Sequence, residues 1–251
     1  MSPALALLLL LLVLTLVLRL PIGFGMLVSG VAYLVVKQQD IGLVSEQVLN
    51  GLYNSYVLLA VPLFIFAAAV MNSGTVSERL FDFALALVGR FRGGLAHVNI
   101  LVCVVFSGMS GGAIADAAGP GIVNIRMMQK NGYSAEFAGA LTAASSTIGP
   151  IIPPSIPLVI YALVSGASVG ALFLAGVVPG LLMALSLMIA VHLVAKKRHL
   201  PRGKALPLSA YPRVLARGFL PMTLPVVLLG GIYTGVFTPT EAAAVAALYA
   251  L

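Results

Sequence analysis

The sequence predicts an all-α integral membrane protein organised around a re-entrant helical hairpin and a proline-broken transmembrane helix. Three observations predict it. The 251 residues are 61% apolar and only 8% charged, with a mean hydropathy of +1.10, a balance foreign to soluble domains of that length. Residues 107–121 form a small-residue run with one carboxylate, Asp116, between apolar stretches. Residues 147–155, Thr-Ile-Gly-Pro-Ile-Ile-Pro-Pro-Ser, set Pro150, Pro153 and Pro154 in the middle of apolar sequence. Irregular backbone survives at membrane depth only where it is buried in protein or lines a cavity, so both runs are candidate sites.

The N-terminal stretch Ala4–Leu18 lacks the basic start and small-x-small cleavage site of a secretory signal and reads as a first membrane helix. Arg19 and Pro21 separate it from a second, Ile22–Val36, and the polar segment from Lys37 to Asn50 is expected outside. A third helix, Tyr53–Met71, holds Pro62 in its middle, where the lost donor predicts a kink. From Ser77 to Arg92, Leu80, Phe81, Ala84, Leu85, Leu87 and Val88 recur at helical spacing opposite Glu78, Arg79, Asp82 and Arg90, which predicts an amphipathic interfacial helix.

Two short apolar segments follow, His97–Ser110 and Ala113–Gln129. At about 14 and 17 residues they reach roughly 21 and 26 Å, short of the ~30 Å a crossing needs. Their outer flanks, Arg90 and Arg92 before and Arg126 and Lys130 after, are both basic, which puts both ends on the cytoplasmic face. A re-entrant hairpin over about residues 96–130 with its tip at Ser107–Ala113 satisfies both facts. From Ala135 to Val164 the chain stays apolar for about 30 residues, more than one crossing requires, and the three prolines predict two half-helices joined by extended backbone, a broken helix over about 134–165. Ser168–Ala195 and Phe219–Val236 read as further crossings, and Thr238–Leu251 as the start of a helix that stops in mid-apolar sequence, as in a truncated chain.

Charge supplies the orientation. The formal net charge is +7, and seven basic residues (Lys196, Lys197, Arg198, Arg202, Lys204, Arg213 and Arg217) crowd the loop 196–217, which has no acidic residue. Beside apolar helices this is a cytoplasmic retention signal, with anionic lipid as a secondary contact, rather than a nucleic-acid surface. Counting crossings back from that loop puts the N-terminus outside. The lone Cys103 permits no intrachain disulfide. His97, His192 and His199 show no metal-ligand spacing, and Gly108–Gly112 lacks the Lys-Ser/Thr that follows a phosphate-cradling loop.

Several segments together resemble the large membrane subunit of tripartite ATP-independent periplasmic (TRAP) transporters. They are Val61-Pro-Leu-Phe64, Val88-Gly-Arg-Phe-Arg-Gly-Gly-Leu95, Phe106-Ser-Gly-Met-Ser-Gly-Gly-Ala-Ile-Ala-Asp116, Met127-Met-Gln-Lys-Asn-Gly-Tyr133, Gly149-Pro-Ile-Ile-Pro-Pro-Ser155, Ala175-Gly-Val-Val-Pro-Gly180 and Gly235-Val-Phe-Thr-Pro-Thr-Glu241. The resemblance implies a multi-pass protein of a bacterial or archaeal inner membrane, a sodium-driven elevator-type transporter half. A small membrane subunit and a periplasmic solute-binding protein are its implied partners, an organic acid anion its substrate, and sodium, as coupling ion, takes the place of any cofactor. Residues 1–92 then correspond to scaffold helices, 93–167 to a transport unit, 168–237 to helices flanking the basic loop, and 238–251 to the beginning of a second, inverted half.

The chemistry of the residues agrees with that implication, because hairpin tips and unwound helices expose carbonyls to a desolvated cation while half-helix N-termini favour an anion. Ser107, Gly108, Ser110 and Gly111 at the tip and Asp116 just after it, with Thr147, Gly149, Pro150, Pro153, Pro154 and Ser155 at the break, are the expected ion and substrate site. Sodium is the one metal, held by Ser107, Ser110, Thr147 and neighbouring carbonyls, all hard oxygen donors. Bland alternatives stand beside these. Ser107 and Ser110 could serve tight helix packing, the prolines could shape backbone only, Asp116 could cap the second hairpin arm instead of serving an ion or gate, and Arg126 could snorkel to the interface. Two other functions remain: a non-transporting scaffold fragment, and a serine protease built on Gly108-Met109-Ser110-Gly111 with His192 as base.

Overall fold

The computed structural model describes residues 2–53, 56–73, 76–198, 200–201 and 211–250. Arg202, Lys204, His199 and Leu251 lie outside the described residues. The described chain is helical without strands, and it divides into two compact units, Met1–Tyr56 and Val57–Leu251.

The first unit contains α1 (Pro3–Val17), α2 (Ile22–Val36) and α3 (Gly42–Tyr53). The helices α1 and α2 pack closely enough that a Cβ on Gly25 would come within 2.4 Å of Thr15 Oγ1. The polar segment 37–50, expected only as an external connection, supplies most of α3. Asp40 starts that helix by accepting the Gly42 N–H at 2.8 Å.

A 3-10 turn, Tyr56–Leu59, begins on the last residue of the first unit and leads into α4 (Ala60–Ser73) of the second. Pro62 therefore stands in the first turn of the helix rather than in its middle. No ladder bond is due there, so the expected kink is not required. The amphipathic helix is present as α5 (Val76–Val88), with Ser77, Leu80, Phe81, Ala84 and Ala86 buried, whereas Leu87 is exposed.

The hairpin is formed by α6 (Gly94–Ser110), α7 (Ala113–Ala118) and α8 (Pro120–Lys130). Its tip is narrower than predicted. Ser107 to Ser110 remain helical, and the chain turns only at Gly111 and Gly112, with Gly111 in the left-handed region (φ 66°). The second arm is also not one helix. It breaks at Gly119 (φ −85°, ψ −107°) because Pro120 has no N–H to continue the ladder and instead opens α8.

The stretch from 134 to 165 is divided between two helices. The first half, α9 (Ala135–Ser146), begins at Ser134, whose Oγ accepts the Phe137 N–H at 3.3 Å. Irregular backbone follows to Ser155, and α10 (Ile156–Ser165) then starts with Ser155 as its cap and ends on Gly166 at φ 71°. The next helix, α11 (Val169–Lys197), is capped by Ser168. It is the one helix among the described residues long and apolar enough to cross a membrane by itself. The predicted loop 196–217 is shorter than expected at both ends: α11 includes Lys196 and Lys197, and α12 (Tyr211–Tyr233) takes Arg213 and Arg217 into its first turns. Finally, α13 (Pro239–Ala250) opens on a reciprocal cap in which Glu241 Oε2 accepts the Thr238 N–H at 2.8 Å and Thr238 Oγ1 accepts the Glu241 N–H at 3.3 Å.

Two cores hold the hairpin from opposite sides. Phe81, Val98, Val102, Met128, Ile148 and Ala184 join α5, α6, α8, α11 and the end of α9. Phe64, Met71, Phe106, Met109, Leu224 and Leu228, with Ala242, Ala243, Ala246 and Ala247, join α4, α6, α12 and α13. Between them, α6 carries apolar residues toward each core and leaves a polar face toward α7, α8 and α9.

Candidate functional site

The centre of that polar face is Asp116, which is fully buried on α7. Its Oδ2 accepts the Ser107 hydroxyl at 2.8 Å and its Oδ1 accepts the Ser110 hydroxyl. Ser107 also lies within 2.6 Å of the Cys103 carbonyl. Asp116 thus does not cap the second arm: the cap position is Gly112, which makes no side-chain bond, and Asp116 comes a turn later, facing back across the hairpin. Its spacing to Ser107 and Ser110 is set by the Gly111–Gly112 turn, which brings α7 back against α6.

The hairpin tip and the helix break meet. The Ile156 N–H donates to the Gly111 carbonyl at 3.1 Å. A Cβ on Gly111 would lie 2.6 Å from the Pro154 carbonyl oxygen, and one on Gly149 would lie 2.6 Å from Asp116 Oδ2. Both glycines are therefore required by close approach, Gly111 by its backbone angle as well. At the break, Pro153 and Pro154 are buried and Ser155 is buried, its hydroxyl donating to the Pro150 carbonyl while accepting the Leu158 N–H at 3.3 Å.

Two predicted site residues go elsewhere. Gly108 faces α12, where a Cβ would meet the Pro225 ring at 2.9 Å, so it serves helix packing. Thr147 is exposed and its hydroxyl donates to the Ala144 carbonyl at 2.7 Å, away from Asp116. Arg126 is exposed, as its snorkelling reading requires.

A cavity of about 640 Å³ opens beside the tip, walled by Ser110 to Ala115, by Pro150, Ile156 and Pro157, and by Ile65, Ala68 and Asn72 of α4. Asn72 had no signal in the sequence beyond its polarity at a helix end. Its Oδ1 lies against the α7–α8 break, 2.6 Å from where a Gly119 Cβ would be. Sequence reasoning also missed the amides behind the site. Asn124 Nδ2 donates to Asn99 Oδ1 at 2.7 Å, and Asn99 Nδ2 donates to Thr142 Oγ1 at 3.0 Å. One signal was present: Asn99, Cys103, Ser107 and Ser110 recur at intervals of four, four and three, which puts them on one face of α6.

The same geometry disposes of the protease. Ser110 donates to Asp116, whereas the His192 ring lies 6.5 Å from that of His97, at the opposite end of α6 from Ser110. Among the described residues no imidazole is near the hydroxyl.

A hairpin whose tip meets a proline-broken helix around a buried carboxylate is the kind of discontinuous-helix arrangement from which secondary membrane transporters build their sites. The chain belongs to the family described as the DctM component of tripartite ATP-independent periplasmic transporters, whose model matches residues 8–251. It is 47% identical over 234 residues to the sialic acid TRAP transporter large permease protein SiaM of Vibrio cholerae, covering 92% of this chain and 54% of that protein. It is 40% identical over 247 residues to the C4-dicarboxylate TRAP transporter large permease protein DctM of Vibrio cholerae, 98% of this chain and 54% of that one. To the 2,3-diketo-L-gulonate TRAP transporter large permease protein YiaN of Escherichia coli it is 38% identical over 233 residues, with coverage of 92% and 55%. The chain spans about half the length of these relatives.

Proposed function

We propose that this chain contributes the first hairpin and broken helix of an inner-membrane, sodium-coupled transporter that takes up a small organic acid anion delivered by a periplasmic solute-binding protein, with a small membrane subunit as its second partner. One observation carries the reading. Asp116 is buried, and among the described residues its side-chain partners are two serine hydroxyls with no basic group. A carboxylate taken out of water without a counter-charge is unfavourable by several kcal/mol (order of magnitude) and calls for a cation or a proton.

The donors at hand suit a hard monovalent cation: the Asp116 carboxylate, the Ser107 and Ser110 hydroxyls, and the carbonyls of the glycine turn and proline break, with no sulfur or imidazole aimed at the carboxylate. These oxygens would hold sodium, and the adjoining cavity would take the anion. Relatives named for sialic acid, C4-dicarboxylates and diketogulonate support the organic acid class. The mobile unit of the elevator is then the hairpin with the broken helix, and the cytoplasmic face is that of Lys196, Lys197 and Arg198, with the N-terminus outside.

The test is uptake by the complete assembly in proteoliposomes, with purified binding protein, in sodium and in its absence. Uptake is expected to require sodium, and Ser110→Ala is expected to weaken sodium-dependent uptake more than membrane insertion. Undiminished uptake without sodium would end the coupling claim, and equal loss of insertion and uptake would return Ser110 to a packing role.

A further inference from the structure

We infer that Asn99, Asn124 and Thr142 form a positioning cluster that sets the register of the three helices supplying the Asp116 site; the inference rests on the sodium reading above for one of its two readouts. The site has three sources. Ser107 and Ser110 come from α6, Asp116 from the second hairpin arm, and Gly149 from the end of α9. The cluster draws one residue from each: Asn99 from α6, Asn124 from α8 and Thr142 from α9.

The three side chains are no more than 2% exposed. Their bonds run in one direction, from the Asn124 amide to Asn99 Oδ1 at 2.7 Å and from the Asn99 amide to Thr142 Oγ1 at 3.0 Å. One turn nearer the site, Cys103 Sγ lies 3.3 Å from Ser145 Oγ, again between α6 and α9. Apolar contacts alone would tolerate a slide of one helix along another. A buried amide does not, because a shifted register leaves its donor or acceptor unpaired, at a cost larger than the bond itself contributes. Eight residues of helix separate Asn99 from Ser107, about 12 Å; Thr142 is nearer, its methyl and the Asp116 carbonyl oxygen both lying against Gly121, yet no hydrogen bond joins the three side chains to the Asp116 carboxylate or its serines among those described. The cluster acts through the spacing of those groups.

Thr142→Val is the near-isosteric test, and Thr142→Ser restores the hydroxyl. In the assembled transporter, the sodium concentration for half-maximal uptake is expected to rise about fivefold in Thr142→Val, with the maximal rate changed less than twofold. Hydrogen exchange at the amides of residues 111–113 and 151–152 is expected to quicken by about the same factor. Thr142→Ser is expected to behave as the unsubstituted protein in both measurements. Should Thr142→Val fail to reach the membrane, Asn124→Ala removes the α8 tie and is read in the same way.

A fall in maximal rate and thermal stability with no change in half-saturating sodium or tip exchange would make the cluster merely structural and overturn the inference. If the unsubstituted transporter ignores sodium, the coupling reading fails by itself. The exchange measurement then decides the positioning role alone, and unchanged exchange overturns it.

Discussion

The two sides of α6 solve the same packing problem with different chemistry. Toward α4, α12 and α13 the contact is apolar and small, with Ala242, Ala243, Ala246 and Ala247 of α13 packing against α4 in a core with Phe64, Phe106 and Met109. Toward α7, α8 and α9 a polar seam runs beside the apolar contacts. Of the buried polar and charged residues among those described, all but Thr15, Ser29 and Ser77 fall between His97 and Ser155. Alanine packing brings helices close at little cost and requires no satisfied partner. The polar seam demands a partner for each group, and it leaves one charge, Asp116, without an opposite. Tight packing therefore does not account for a buried carboxylate whose partners among the described residues are two serine hydroxyls, and that is the feature the proposed sodium site rests on.

Asp116→Asn should separate the two sides most sharply. It keeps the shape and removes the charge, so sodium-dependent uptake in proteoliposomes should fall by about 100-fold while the amount inserted in the membrane stays close to that of the parent. Uptake that kept its sodium dependence and half-saturation would remove Asp116 from the ion site and leave the seam a structural device. Gly149→Ala comes next. A Cβ there would lie 2.6 Å from Asp116 Oδ2, which Ser107 holds in place, and 3.2 Å from the Gly112 carbonyl carbon, which is backbone. Pushing the break away from the carboxylate is expected to raise half-saturating sodium by about tenfold, on the scale of 1–3 kcal/mol for overpacking. An unchanged sodium titration would mean that the break does not belong to the site.

How much of this was legible in the sequence follows the same division. The proline break is a local feature that residue type announces, and the hairpin follows from segment lengths and the basic residues that flank it. The break in the second arm was equally local, in Gly119-Pro120, but the small-residue run masked it. The Thr147 hydroxyl could turn either inward or back onto its own helix, and only the fold decides that it bonds Ala144. Gly108 is similar: a glycine required by a neighbouring helix and one required by an ion look alike until Pro225 of α12 is seen against it. Asn99, Asn124 and Thr142 are distant in sequence, and beyond the helical spacing that aligns Asn99 with Ser107 and Ser110, nothing short of their meeting shows that Asn124 and Thr142 are its partners.

On the apolar side, Ala246→Leu should cost stability without touching the ion. Ala246 is fully buried in the α4–α13 contact, and the added methylene groups are expected to lower stability by about 1–3 kcal/mol, read as a lower melting temperature in detergent. The sodium concentration for half-maximal uptake should be unchanged. If it rose as in Gly149→Ala, the two faces of α6 would be energetically coupled and the contrast between them would be wrong.

The smallest expected effect is at a cap outside both seams. Ser134 Oγ accepts the Phe137 N–H at the start of α9 and is exposed, as is the neighbouring Glu136. Ser134→Ala leaves one first-turn N–H to water and should cost roughly 1 kcal/mol, a shift of a few degrees in melting temperature for a domain of this size. Yet α9 is also the helix that presents Thr142 to Asn99 and leads into Gly149. Fraying of its first turn reaches Thr142 only if it propagates two turns further, against the burial of Ala138 and Leu141. The cap should therefore move stability and leave both half-saturating sodium and exchange at residues 111–113 where they were. If Ser134→Ala instead reproduced the sodium shift expected of Thr142→Val, register would be set by the whole of α9 rather than by its buried amide and hydroxyl bonds, and the positioning cluster would lose its separate role.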